Sequence, residues 1–298
     1  MRKTAVLFIT VLFLLIFIAG VILQSALIFQ RIAVVRAVEG DVMVKARKHQ
    51  DFEPVAGKQR LYAGDTVRTG EDGYLKLEWI DGTRVAVDPE TQMTILKCRM
   101  NRMTNSETSL FKLDVGNIWI RVIKVLSQKS KFEIRTPTAT AGVRGTVFSV
   151  RVDEAGETEV SVYEGSVLVN SEARSETVEQ ENVARIAGDS VNLQAFGEAE
   201  KKQWESKRDV AGPVLYVEVP EGGYSAAPGE TVEIRGQAEP GAKVAVSGQP
   251  VELKIKHRFD TEVTVPEDFE DDTLVVAVTA VDRRGFIAAE DVEITVTR

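Results

Sequence analysis

The sequence predicts a mainly β protein preceded by one apolar N-terminal helix. Two observations carry this reading. From Val34 onward, apolar residues recur with period two in short runs separated by glycine-centred turns, the pattern of half-buried strands. Before that, Thr4 to Leu23 is almost unbroken apolar sequence. About 20 such residues at 1.5 Å rise cover a hydrocarbon core of about 30 Å. The remaining length of the 298-residue chain suits two ordinary domains.

The opening segment, residues 1–30, is read as a transmembrane anchor. A cleaved signal peptide has a shorter apolar region and small residues one and three positions before the cut. Here a cut after Gly20, Ser25 or Ala26 puts Ile18, Leu23 or Gln24 at the outer of those positions. Arg2 and Lys3 favour an N-terminus inside and a C-terminal bulk outside the inner membrane, with only Met1 to Lys3 before the span. The bilayer is therefore the first partner expected.

Residues 34–196 are read as one β domain, with a run of short strands from Val34 to about Val169. Tyr74, Lys76 and Glu78 alternate with Leu75, Leu77 and Trp79, and further runs cover 110–115, 117–122, 132–135, 146–152 and 159–163. Glu164-Gly165 reads as a hairpin turn, since glycine takes positive φ without strain. Residues 197–211 hold strong helix formers and predict a short amphipathic linker helix, ended by Gly212-Pro213. Residues 212–298 carry six or seven strand signals, which suggests an immunoglobulin-like sandwich without the cysteine pair of antibody domains.

Composition removes several function classes. A net charge of −8 argues against nucleic acid as a partner, which demands a basic footprint. The charge is uneven: from Gly212 onward about 17 carboxylates face about 8 Lys and Arg. One cysteine, Cys98, excludes an internal disulfide and reads as a buried small hydrophobe. His49 and His257 both lie in polar segments, so neither a catalytic triad nor a transition-metal site is on offer, and no catalytic, cofactor-binding or metal residue is predicted. Gly142-Val143-Arg144-Gly145-Thr146 lacks the ending of a phosphate loop and reads as a tight bend. Asp41, Asp65, Asp72, Asp81 and Asp88 mostly adjoin glycine or proline, so turn chemistry explains them better than paired acid catalysis. The acidic run Glu267 to Asp272 lacks calcium-loop spacing. Trp79, Trp119 and Trp204 read as core rather than sugar platforms. Lys97, Arg99, Arg102, Arg121, Lys124, Lys129 and Lys131 are the candidates for facing an anionic surface, against solvated strand faces as the simpler explanation.

Four places, in this order and spacing, resemble the FecR domain, a bacterial extracytoplasmic β module. They are Leu61 to Gly70, Gly73 to Leu77 with Asp81-Gly82-Thr83, Ile134 to Ala139, and Gly142 to Val150 with Val162 to Val167. The resemblance implies a coiled or solenoid-like β fold over about Gly40 to Val169. It also implies kinship with regulators that relay a signal from an outer-membrane receptor to a cytoplasmic sigma factor. Those regulators hold a cytoplasmic domain before the membrane that this sequence does not show. The segment from Val214 is similar to bacterial immunoglobulin-like accessory domains through Pro228 to Val232 and Gly236 to Val244. The chain is accordingly expected to be a non-catalytic, membrane-anchored binding or scaffolding protein of the cell envelope. A regulator acting through another membrane partner is the first alternative, and a carbohydrate-binding module the second.

Overall fold

The computed structural model describes residues 28–297, apart from 105, 123–128, 144, 173, 189, 214, 221, 240, 255–256 and 283–286. The chain divides into two compact units between Lys201 and Lys202.

The described residues of the first unit form eighteen strands. They are β1 (Ile28–Gln30), β2 (Ala33–Glu39), β3 (Val42–Lys45), β4 (Glu53–Pro54), β5 (Arg60–Leu61), β6 (Thr66–Thr69), β7 (Tyr74–Trp79), β8 (Arg84–Val87), β9 (Gln92–Asn101), β10 (Ser106–Arg121), β11 (Lys131–Arg135), β12 (Ala139–Val143), β13 (Val147–Val152), β14 (Thr158–Glu164), β15 (Ser166–Ser171), β16 (Ser175–Glu179), β17 (Asn182–Ala187) and β18 (Ser190–Ala195). Their registers build two ladders. The first runs β4-β3-β6-β9-β10-β11-β12-β15-β16, with β1 beside the far end of β9. The second runs β5-β2-β7-β8-β10-β13-β14-β17-β18. Of these pairings only β10 with β11 is parallel.

Strand β10 belongs to both ladders and joins them into one barrel-like network. Its first ten residues, Ser106 to Val115, pair with β9, and its last six, Gly116 to Arg121, pair with β13 and, over the final four, with β8. The change of ladder falls at Gly116, whose φ of +99° is left-handed. A Cβ there would overlap Thr91. Thr91 in turn uses its Oγ1 to accept the N–H of Asn117 at 2.9 Å, which fixes the corner.

Alternation explains the core. Leu75, Leu77 and Trp79 of β7, and Phe132 and Ile134 of β11, all point inward, with their neighbours on the solvent side. The inward residues of both ladders merge into a single hydrophobic cluster that includes Val67, Met93, Phe111, Ile118, Phe148 and Val160. Each fully buried aliphatic side chain contributes about 1.5–3 kcal/mol relative to exposure. Trp79 meets Phe111 edge-on at 5.6 Å between ring centroids.

Helices α1 (Glu198–Ser206) and α2 (Arg208–Ala211) come next, with Trp204 1% exposed. Strands β19 (Leu215–Glu218), β20 (Tyr224–Ala226), β21 (Thr231–Ala238), β22 (Lys243–Val246), β23 (Gln249–Val251), β24 (Arg258–Thr264), β25 (Thr273–Val281) and β26 (Ile287–Val296) follow. They form a three-stranded sheet, β19-β21-β24, and a five-stranded sheet, β20-β26-β25-β22-β23, which share one core around Ile234, Phe259, Val278 and Ile294.

Three expectations need correction. The anchor over residues 1–30 does not hold as drawn: Ile28–Gln30 is extended and pairs antiparallel with Arg99–Asn101. No helix among the described residues is long and apolar enough to cross a membrane, and residues 1–27 lie outside them. The single-pass inner-membrane placement rested on that helix and falls with it. The physical reason at residues 28–30 is that hydropathy reports the wish to leave water, whereas the β9 edge offers these residues backbone partners. Finally, Glu164-Gly165 is not a hairpin turn. Strands β14 and β15 lie in different ladders, and Gly165, at φ +83°, turns the corner between them. A Cβ on it would stand 3.0 Å from the Gly145 carbonyl, so two chain corners pass each other there.

The ladder change at Gly116 yields a stability prediction. Gly116→Ala should destabilise the first unit by about 2 kcal/mol or more, through left-handed strain plus overlap with Thr91. Urea unfolding would read this as a lowered midpoint, and an unchanged midpoint would refute the role given to Gly116.

Candidate functional site

The acidic residues singled out in the sequence are placed by turns. Asp72 Oδ1 accepts the Asp41 N–H at 3.0 Å. Asp65 accepts from the N–H groups of Arg47 and Tyr62 at 2.9 and 2.8 Å. Asp88 accepts from Asn117 Nδ2 at 2.8 Å and from the Trp119 indole at 2.6 Å. These carboxylates accept hydrogen bonds from turn and neighbouring-strand donors. Trp79, Trp119 and Trp204 are at most 2% exposed and offer no platform for a sugar. Among the described residues no three His, Cys, Asp or Glu side chains converge as a metal-binding group. A shallow depression lined by Arg151, Asp153, Glu157 and Arg185 is largely self-neutralised, since Arg185 Nε lies 2.7 Å from Glu159 Oε2.

The structure does gather basic side chains on the solvent side of the first ladder. In register, Thr108 stands between Arg99 and Lys131, Leu110 between Lys97 and Glu133, and Lys112 next to Arg135. With strands about 4.8 Å apart, Arg99 and Lys131 are separated by about 10 Å, and Lys112 and Arg135 are immediate neighbours. Their sequence neighbours Ser109, Phe111, Phe132 and Ile134 are buried, which fixes the outward direction of the basic set. Lys112 Nζ pairs with Asp114 Oδ1 at 2.6 Å. Lys97, Arg99, Lys131 and Arg135 form no ion pair with a described residue. Farther along the same ladder, the Phe52 ring lies 4.3 Å from the Arg68 guanidinium carbon and 5.3 Å from Lys45 Nζ.

Of the basic candidates, the structure brings together Lys97, Arg99 and Lys131. Arg102 covers the Phe29 ring at 4.0 Å, Arg121 is 3% exposed, Lys129 is exposed just before β11, and Lys124 lies outside the described residues. Lys112 and Arg135 were missed, although period-two alternation along β10 and β11 places both with the outward set. A flat face of this kind can bind an anionic surface by charge and hydrogen-bond donation.

A second polar cluster is buried. Arg31 follows β1 and donates its backbone N–H to the Cys98 carbonyl at 2.9 Å. Its guanidinium meets the Asp81 carboxylate, lies 3.2 Å from Glu107 Oε2 and donates to Ser109 Oγ at 3.1 Å. The cluster ties the entry strand to the β7–β8 turn and to β10. Burial pushes the Glu107 carboxyl up, against the pull of Arg31, and burial likewise pushes the Cys98 thiol up.

Two expectations test this cluster. Arg31→Met should cost about 2–4 kcal/mol, because it strands two half-buried carboxylates; an unfolding midpoint equal to that of the parent would contradict it. For Glu107, a raised folded value means the native state binds the proton more tightly than the unfolded chain. Its contribution is therefore complete below the ordinary glutamate value near 4.5 and is lost as pH rises through the raised value. Glu107→Gln should remove that downward slope, and parallel stability profiles for the two proteins above pH 4.5 would disprove the assignment.

Residues 65–168, from the start of β6 into β15, match the FecR protein family. No curated protein matches the chain. Among solved structures, two crystal structures of a proposed anti-sigma factor from Parabacteroides distasonis ATCC 8503, at 2.50 and 1.65 Å, align with it. They share 18% and 16% identity, each over 52% of this chain and 68% of the other, with TM-scores of 0.38 and 0.39. The family match stops before the second unit, so the immunoglobulin-like reading of that unit rests on sequence resemblance alone. The ladder corners at Gly116 and Gly165, the turn carboxylates Asp65, Asp72 and Asp88 and the basic face from Lys97 to Arg135 all fall within the matched region, and residues 65–168 are similar to the FecR family.

Proposed function

We propose that this protein is a non-catalytic regulator in an envelope signal-transduction relay, working by contact with another protein. The observation that carries the reading is the FecR family match over residues 65–168. It favours regulation over passive scaffolding, because the family name attaches to the two-ladder unit and not to the second unit. The basic face supports a protein partner with an acidic surface: Lys97, Arg99, Lys131 and Arg135 are outward, close together and free of ion pairs with described residues. Charges placed in this way speed encounter and set orientation more than they add affinity.

Deletion of the gene should alter at least one sigma-dependent transcript set, and unaltered transcripts under envelope stress would end the regulatory reading. Lys131→Glu with Arg135→Glu should leave stability within about 0.5 kcal/mol, both sites being exposed strand positions, yet reproduce the deletion phenotype. A doubly reversed protein that still restores normal transcription would separate the basic face from the function.

A further inference from the structure

Each ladder of the first unit has two ends, and three of the four ends are guarded against pairing with another chain. Strand β4 has two residues, one of them Pro54, and β5 has two residues including Arg60. Strand β16 carries Glu176 and Glu179. Short length, proline and charge are the usual protections of a sheet edge. The fourth end, β18, carries no charge or proline of its own, and one charge from outside it, Arg174, reaches its Val191 carbonyl. Ser190-Val191-Asn192-Leu193-Gln194-Ala195 is six residues long, uncharged and free of proline, pairs without a register shift with β17 and with no other strand among the described residues, and is exposed along most of its length.

The direction of its free backbone groups follows from two bonds. The Val191 carbonyl accepts from the Arg174 guanidinium, so it points away from β17. The Phe196 N–H donates to the Glu181 carbonyl, so the even-numbered positions point toward β17. By alternation, the outward set is Val191, Leu193 and Ala195. Because Arg174 occupies the Val191 carbonyl, the open groups are the Val191 N–H and both groups of Leu193 and Ala195. This set is centred on Leu193.

We infer that β18 is a self-association edge, at which a second copy of this chain adds its own β18 antiparallel about a two-fold axis through Leu193. In that register the Leu193 N–H and carbonyl of one copy bond their counterparts reciprocally. Each Val191 N–H reaches the other copy's Ala195 carbonyl, and each Asn192 amide faces the other copy's Gln194 amide. No charge opposes a like charge. Leu193 lies opposite Ala184, a core residue, yet is itself 40% exposed, and the pairing covers it with its counterpart. A strand that fits its own copy in this way closes after two chains, which favours a dimer over an open array. Edge pairing alone buries less than about 1,200 Å², so the association belongs to the weak, concentration-dependent class. The edge lies outside the family match, and the inference does not rest on the proposed regulatory role.

The test uses two differently tagged copies of the full chain, co-expressed and captured through one tag. Wild type should capture wild type. Leu193→Lys should not capture itself, nor Leu193→Glu itself, whereas the Lys and Glu variants together should restore capture. Amide exchange guards against a variant that fails to fold: in wild type, Val191 and Leu193 amides should slow as concentration rises. Wild-type capture that persists for Leu193→Lys against itself, absence of wild-type capture, or exchange rates independent of concentration would each overturn the inference.

Discussion

The first unit depends on one constraint: a single strand must serve two sheets. Strand β10 is long enough to do so, but a continuous strand keeps its hydrogen-bonding direction, and a change of ladder requires the backbone to turn. Gly116 makes the turn in a region of φ that side-chain-bearing residues rarely adopt. Thr91 fills the space that a side chain would need. On either side of β10 the chain repeats one solution, building in one ladder and then crossing to the other. The network leaves one end strand at each end of either ladder: β4, β16, β5 and β18.

Much of this is legible in the sequence, and the limit is a physical one. Period-two alternation identifies which residues turn inward, so Leu75, Leu77 and Trp79 can be assigned to the core from the order of residues alone. The same alternation carries no information about which sheet a strand joins. Glu164-Gly165 therefore reads as a hairpin, when its glycine turns a corner between ladders. The turn role of Asp65 and Asp88 is readable from neighbouring glycine and proline, but their most distant donors lie 18 to 31 residues away in the chain and are not.

The buried arginine cluster is invisible in the sequence for a stronger reason. Arg31 and Ser109 are 78 residues apart, and nothing local distinguishes Arg31 from a charge flanking an apolar run. The same apolar run sets the expected anchor boundary at residue 30, which the pairing of Ile28–Gln30 with β9 corrects. The basic face is half legible: Lys97, Arg99 and Lys131 stand out as candidates, and Lys112 and Arg135 follow from strand phase once the strands are accepted. The physical contrast is useful. Charge placement on a face is set by local periodicity, whereas charge burial is set by topology.

The geometry around Arg31 also has a mechanical consequence. Strand β1 is three residues long and lies at the border of β9, so tension on the chain ahead of it would peel its hydrogen bonds one by one at low force. The next step would drag a guanidinium out from between two carboxylates and away from Ser109. Resistance rises abruptly there, and the ladders behind that point are shielded from small tugs while remaining coupled to large ones.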